Sequence, residues 1–273
     1  SAQLSRTKDG GIKEVSYHDL FEKCLDFAGA LLSIGVTRGE KIGLISENRE
    51  EWEQADMGIL IVGAIDTPRG CDSTEADLSY ILSFSEVEIV IAENEAQVKK
   101  ILNIRNAIPT LKSIISFDMV SDEIKAPKTP QGLEYYYFQE ISAQGHEWRK
   151  DHPDVVEQEI DKGKTDDLAT IIFTSGTTGT PKGVMLSHGN IICQLDDVTE
   201  RIYLNPGERA LLVLPVWHAF QRAIEYVVLC QGATLCYSKP IGSVILQDLV
   251  TLNPYLLPAV PRVWTAVYDG IWR

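Results

Sequence analysis

Apolar residues recur at helical spacing near the start of the chain. Leu20, Cys24, Phe27, Ala28 and Leu31 share one face, and Ser16 with Asp19 forms a capping box ahead of them. The period then changes. A short apolar run at residues 42–45 predicts a strand, and Asn48 with Glu51 predicts the cap of a second helix reaching about Gly63. A brief strand around Pro68 follows. Thr74 and Asp77 open a third helix through Phe84, and the β-branched run at residues 87–91 predicts a strand buried on both faces. Later strands are expected near residues 168–173, 211–214 and 234–237, with helices near 190–202, 219–230 and 262–272.

This alternation of strand and helix predicts parallel strands joined by crossover helices: an α/β fold with doubly wound, mostly parallel sheets in two lobes. Between Asp118 and Asp167 the periodicity weakens, Pro127 and Pro130 interrupt it, and acidic residues crowd residues 151–167. That acidic run reads as solvated surface. A lobe boundary is expected here, giving lobes 1–165 and 166–273.

Composition narrows the function classes. With 44% hydrophobic and 23% charged residues the chain is globular rather than disordered. Its 25 basic against 39 acidic residues give a net charge of −14, the wrong sign for gripping nucleic acid by bulk electrostatics. A polyanionic ligand must therefore be held locally. The apolar stretch at residues 57–65 is far short of the ~20 residues needed to cross a bilayer. No basic-then-apolar leader opens the sequence, and the natural start is expected upstream of Ser1. Five cysteines, an odd count without a CxxC pair, read as reduced and mostly buried cytosolic thiols.

The richest segment is residues 173–188, FTSGTTGTPKGVMLSH. Gly176 and Gly179 let the backbone curl so that N–H groups converge on an anion, and Thr174, Ser175, Thr177, Thr178 and Thr180 add donors. Lys182 supplies a point charge. The P-loop pattern fails, because Pro181 stands where a glycine should precede the lysine and Gly183 replaces the following Ser or Thr. Residues 184–186 read as a strand, giving strand, loop, strand where a P-loop gives strand, loop, helix. By composition alone a ligand-free Gly/Thr turn stays open as the alternative.

At residues 174–183 the sequence resembles the phosphate-binding signature of the adenylate-forming enzymes, a superfamily of acyl-CoA synthetases, peptide-synthetase adenylation domains and firefly-type luciferases. SENREEW, GAIDTPRG, LPVWHAFQR and VPRVW, in that order, are similar to the long-chain fatty acid-CoA ligase branch. The resemblance implies ATP-dependent activation of a long-chain fatty acid to acyl-AMP, then transfer to coenzyme A. Residues 174–180 and Lys182 inherit the phosphate-binding role, and Thr174 that of a magnesium ligand. His218 matches a histidine beside the substrate carboxylate and α-phosphate, with Lys182 as its catalytic companion; Trp217 and Phe220 are expected to line the acyl site. The cofactor and substrate set implied is ATP, Mg2+, coenzyme A and fatty acid. Taken without the resemblance, His218, Trp217 and Phe220 read more readily as core residues, and Arg222 as a surface or helix-end ion pair.

The family's later segments for adenine, ribose and the carboxyl-terminal lysine do not occur in this sequence. The expectation is an amino-terminal part, with the carboxyl-terminal domain absent, inactive alone and prone to self-association. An acyl carrier protein as acceptor, or a non-catalytic nucleotide or acyl-binding module, stands as the alternative. The expected location is cytoplasmic, with peripheral contact at the inner face of a membrane left open.

Overall fold

A computed structural model describes residues 1–7, 9–125, 132–174 and 180–272. In chain order its elements are β1 (Gln3–Arg6), β2 (Ile12–Val15), α1 (Tyr17–Ser33), β3 (Lys41–Ile45), α2 (Glu50–Ile61), β4 (Ile65–Arg69), α3 (Glu75–Phe84), β5 (Ile89–Ala92) and α4 (Glu95–Asn103). Then come β6 (Ser113–Ser116), α5 (Asp122–Lys125), β7 (Glu134–Tyr137), α6 (Phe138–Asp151), α7 (Val155–Asp161), β8 (Leu168–Thr174), β9 (Lys182–Ser187), α8 (His188–Thr199), β10 (Arg209–Leu212), α9 (Ala219–Cys230), β11 (Thr234–Tyr237), α10 (Gly242–Leu252) and α11 (Pro261–Trp272). The alternating α/β reading holds. The expected breakers Pro127 and Pro130 lie outside the described residues.

Two compact units divide the chain: one comprises Ser1–Leu20, Asn48–Glu50 and Ile191–Arg273, the other Phe21–Glu47 and Glu51–Asn190. This is a different division from lobes 1–165 and 166–273. Strand pairing explains the difference, because β8 joins β4 in parallel and carries β9 with it, while β1 pairs with β11 some 230 positions away at Gln3↔Leu235.

The larger unit holds a seven-stranded sheet in the order β7-β6-β5-β3-β4-β8-β9, parallel except for the β8/β9 hairpin. Its inner strands are β-branched and buried along their length, as β5 (IVIA) and β6 (SIIS) show. Leu78, Leu82, Val87, Val90, Ile101 and Ile114 are the centre of its core. α3 starts at the capping box read from sequence, with Thr74 accepting from Asp77 N–H and Asp77 accepting from Thr74 N–H. α6 packs closely on α1: a Cβ at Gly145 would stand 2.0 Å from the Asp26 carbonyl oxygen and 2.4 Å from Ala30 N, so only glycine admits this crossing. At the switch in strand order, beyond the ends of β3 and β5, Glu93 accepts from Ser46 Oγ at 3.0 Å and from Glu47 N–H at 2.7 Å.

The smaller unit holds a four-stranded sheet in the order β10-β11-β1-β2, with β10, β11 and β1 parallel and β2 antiparallel. α9 lays Ile224 and Val228 on this sheet against Leu212 and Leu235. Leu246, Val250, Tyr255, Trp264 and Tyr268 are exposed.

Among the described residues no helix is long and apolar enough to cross a membrane. All five cysteines are free, yet only Cys24 and Cys236 are buried, whereas Cys193 and Cys230 are exposed; the reading of mostly buried thiols is corrected here. Burial pushes the Cys24 thiol well above its usual range, and burial likewise pushes Cys236 up to about 12. Iodoacetamide at pH 8 should therefore label Cys193 in the native protein and reach Cys24 and Cys236 only after denaturation, as peptide mass spectrometry would show. Native labelling of Cys24 at the rate of Cys193 would refute the burial.

Candidate functional site

In the larger unit the site begins with the β8/β9 hairpin. Its antiparallel register places Thr174 opposite Lys182, Phe173 opposite Gly183 and Ile172 opposite Val184, so the two ends of the Gly/Thr loop are held side by side. The two strands expected on either side of this segment are present. Thr174, Thr180 and Lys182 are exposed at the mouth of this hairpin. Ser175, Gly176, Thr177, Thr178 and Gly179 lie outside the described residues.

The hairpin is anchored from below. Phe173 is buried at 2% exposure and meets the rings of Tyr80 and Phe84 edge-on, at 6.5 and 6.2 Å between centroids. Arg69, at the end of β4, donates from Nη1 to the Phe173 carbonyl at 3.2 Å and from Nε to Ser73 Oγ at 3.3 Å. Sequence reasoning missed Arg69 as a contributor; its place in the PRG segment at the end of a predicted strand was the available signal. Among the described residues no carboxylate pairs with the Lys182 ammonium, which leaves an unneutralised cation at the loop mouth in a strongly acidic chain.

In the smaller unit, residues 213–218 run from the end of β10 into α9. His218 is the residue before the helix, with extended φ −92 and ψ 136, and its side chain caps nothing. Its N–H donates to the Pro215 carbonyl at 3.1 Å and its carbonyl accepts from Arg222 N–H at 3.2 Å. The imidazole is exposed. Trp217 is buried at 7% exposure, with its ring centroid 6.2 Å from that of His218, and Phe220 is 54% exposed. The three sequence-predicted residues are thus neighbours with different surroundings. Arg222 is no surface ion pair: it is 2% exposed and donates from Nε to Tyr226 Oη at 2.7 Å. Asn48 belongs to this same unit. Its carboxamide donates to the Leu214 carbonyl at 2.6 Å and accepts from Val216 N–H at 2.9 Å.

Two cavities of about 290 and 310 Å3 lie elsewhere, beside α1 and α6, lined by residues such as Asp26, Phe138 and His146 and by Glu22, Arg149 and His152. Neither contains a sequence-predicted site residue.

A mostly parallel α/β sheet that ends in a hydroxyl- and lysine-bearing hairpin is the build of the adenylate-forming enzymes. The backbone matches the carboxylic acid reductase adenylation and carrier didomain of Segniliparus rugosus, a structure in complex with AMP, with a TM-score of 0.84 and 21% identity over 98% of this chain and 41% of that one. The chain belongs to the AMP-binding enzyme family, whose model matches residues 4–270. Its relatives include a chloroplastic long-chain-fatty-acid–acyl-carrier-protein ligase of Arabidopsis thaliana, 33% identical over 95% of this chain and 36% of the relative. Another is the human long-chain-fatty-acid–CoA ligase 1, 29% identical over 98% of this chain and 38% of the relative. The chain thus spans well under half the length of these relatives.

Proposed function

We propose that this chain supplies the phosphate loop and part of the acyl site of an enzyme that activates a long-chain fatty acid with ATP. In the first step a carboxylate oxygen attacks the α-phosphorus, the bond to the bridging oxygen breaks, and acyl-AMP and pyrophosphate result. The coenzyme A thiol then attacks the acyl carbon, AMP leaves, and the thiol proton passes to solvent. The Lys182 ammonium, with no carboxylate partner among the described residues and opposite Thr174 across the hairpin, is the observation that carries this reading.

Lys182 and the hydroxyls of residues 174–180 hold the β- and γ-phosphates and draw off the charge that grows on pyrophosphate as it leaves. His218 orients the carboxylate oxygen on the α-phosphorus, with Trp217 and Phe220 beside it for the alkyl chain. Magnesium, when bound, neutralises phosphate oxygens. Among the described residues no cluster of three His, Cys, Asp or Glu could hold a metal, and the exposed Thr174 hydroxyl offers one oxygen. That donor set fits an ion that keeps phosphate oxygens and water as its main ligands. The complete protein acts in the cytoplasm, with contact to a membrane surface through its substrate, and this chain alone turns nothing over and self-associates through the exposed apolar residues around α10 and α11.

An acyl carrier protein as acceptor is the second reading, favoured by the identity to the plant acyl-carrier-protein ligase, slightly above that to the human CoA ligase. Carboxylate-dependent ATP–pyrophosphate exchange by the protein from the complete gene, across short to long fatty acids, tests the chemistry. Exchange that rises with chain length supports it, and addition of coenzyme A or carrier protein identifies the acceptor. Absence of exchange with every acid overturns adenylation and leaves a nucleotide- or acyl-binding module.

A further inference from the structure

We infer that Asn48 is a positioning residue for His218, acting through the backbone at Leu214, Pro215 and Val216. The inference rests on the role proposed for His218 above. The argument starts from Pro215, which has no N–H and cannot extend the β10 ladder. The Leu214 carbonyl and Val216 N–H that flank it need partners, and a single planar carboxamide supplies both, at 2.6 and 2.9 Å. With donor and acceptor both engaged, the amide can neither flip nor slide along the segment. It does for this stretch what a neighbouring strand does for the residues before it.

The fixed segment leads straight to His218. Pro215 accepts from the His218 N–H, closing a tight turn, while buried Trp217 pins the residue between. On the far side Arg222 N–H binds the His218 carbonyl, and Arg222 itself is held by Tyr226. The imidazole is exposed and has no hydrogen bond among the described residues, so where the ring is carried depends on the backbone that bears it. Asn48 is the side chain that secures that backbone on the upstream side. Its location just before α2, with the amide N–H on the Leu214 carbonyl and the amide oxygen on Val216 N–H, is the geometric sign of that task.

The test uses the complete protein with Asn48→Ala, Asn48→Asp, His218→Ala and the Asn48→Ala/His218→Ala double variant. In Asn48→Ala, amide hydrogen exchange across residues 216–219 should quicken, and kcat for carboxylate-dependent pyrophosphate exchange should fall about 10- to 100-fold with KM for ATP held. Added to His218→Ala, the same change should cost less than about twofold, because its effect passes through the imidazole. Asn48→Asp, of the same shape, keeps the acceptor and loses the donor. It should show a smaller loss in the same direction, and it carries the test should the alanine variant fail to fold. Unchanged amide exchange, a loss confined to KM for ATP, or a full further loss on top of His218→Ala would each overturn the inference. A wild-type protein without exchange removes the role of His218, and this inference with it; exchange that needs His218 and ignores Asn48 removes this inference alone.

Discussion

Replacing Lys182 with alanine should lower ATP–pyrophosphate exchange by the complete protein about 100- to 1,000-fold. Its melting temperature should stay at the wild-type value. The two halves of that expectation come from different observations. Lys182 is exposed, the first residue of β9, and no group among the described residues pairs with it, so its removal deletes no fold-stabilising contact. The rate loss follows from charge. In a chain of net charge −14 the surrounding field opposes a polyphosphate, and the cation at the loop mouth is the local counterweight. Part of the loss should therefore show as a raised KM for ATP and part as a lowered kcat, as negative charge on the leaving pyrophosphate grows through the transition state. Lys182→Arg keeps the charge in a wider, planar group and should recover a fraction of the rate. Exchange within about threefold of wild type in the alanine variant would show that the lysine is not where the phosphates sit.

Local signals in the sequence were read well. Ser16 Oγ accepts from Asp19 N–H and donates to its carboxylate, Thr74 with Asp77 forms a full capping box, and α9 spans the residues its apolar spacing implied. What depends on distant partners was not legible. β1 and β2 are four-residue strands with polar positions, and β1 is tied into its sheet by the distant β11 on one side while β2 pairs on the other. Asn48 carries the composition of a cap, and nothing nearby in sequence announces that Leu214 and Val216 will take its amide. α6 was missed for a related reason: it is mostly polar, and it stands because Gly145 lets it approach α1 closely. The site divides in the same way. The hairpin was visible because its strands are near neighbours in sequence, whereas Arg69 reaches Phe173 across 104 positions of chain and Asn48 reaches Leu214 across 166.

The same reasoning makes Gly183 a test of the hairpin's geometry, independent of charge. A Cβ at this position would lie 2.9 Å from Ile171 Cγ2 and 3.2 Å from Phe173 Cζ. Neither neighbour yields easily. The Ile171 methyl sits on a branched Cβ with restricted χ1, and Phe173, the cross-strand partner of Gly183, is buried with its ring met edge-on by Tyr80 and Phe84. A valine at 183 must therefore push β9 away from β8, one residue from the pair that holds Thr174 opposite Lys182. Overpacking of this kind costs about 1–3 kcal/mol, so the melting temperature should drop by several degrees, at about 2–4 °C per kcal/mol for a chain this long. Exchange should collapse although Lys182 is intact, and Gly183→Ala should lie between valine and wild type. Lys182→Ala removes the charge and keeps the frame; Gly183→Val keeps the charge and moves the frame. Calorimetry beside the exchange assay separates them, and a valine variant with wild-type stability and wild-type exchange would mean that the register of β8 against β9 plays no part in holding the phosphates.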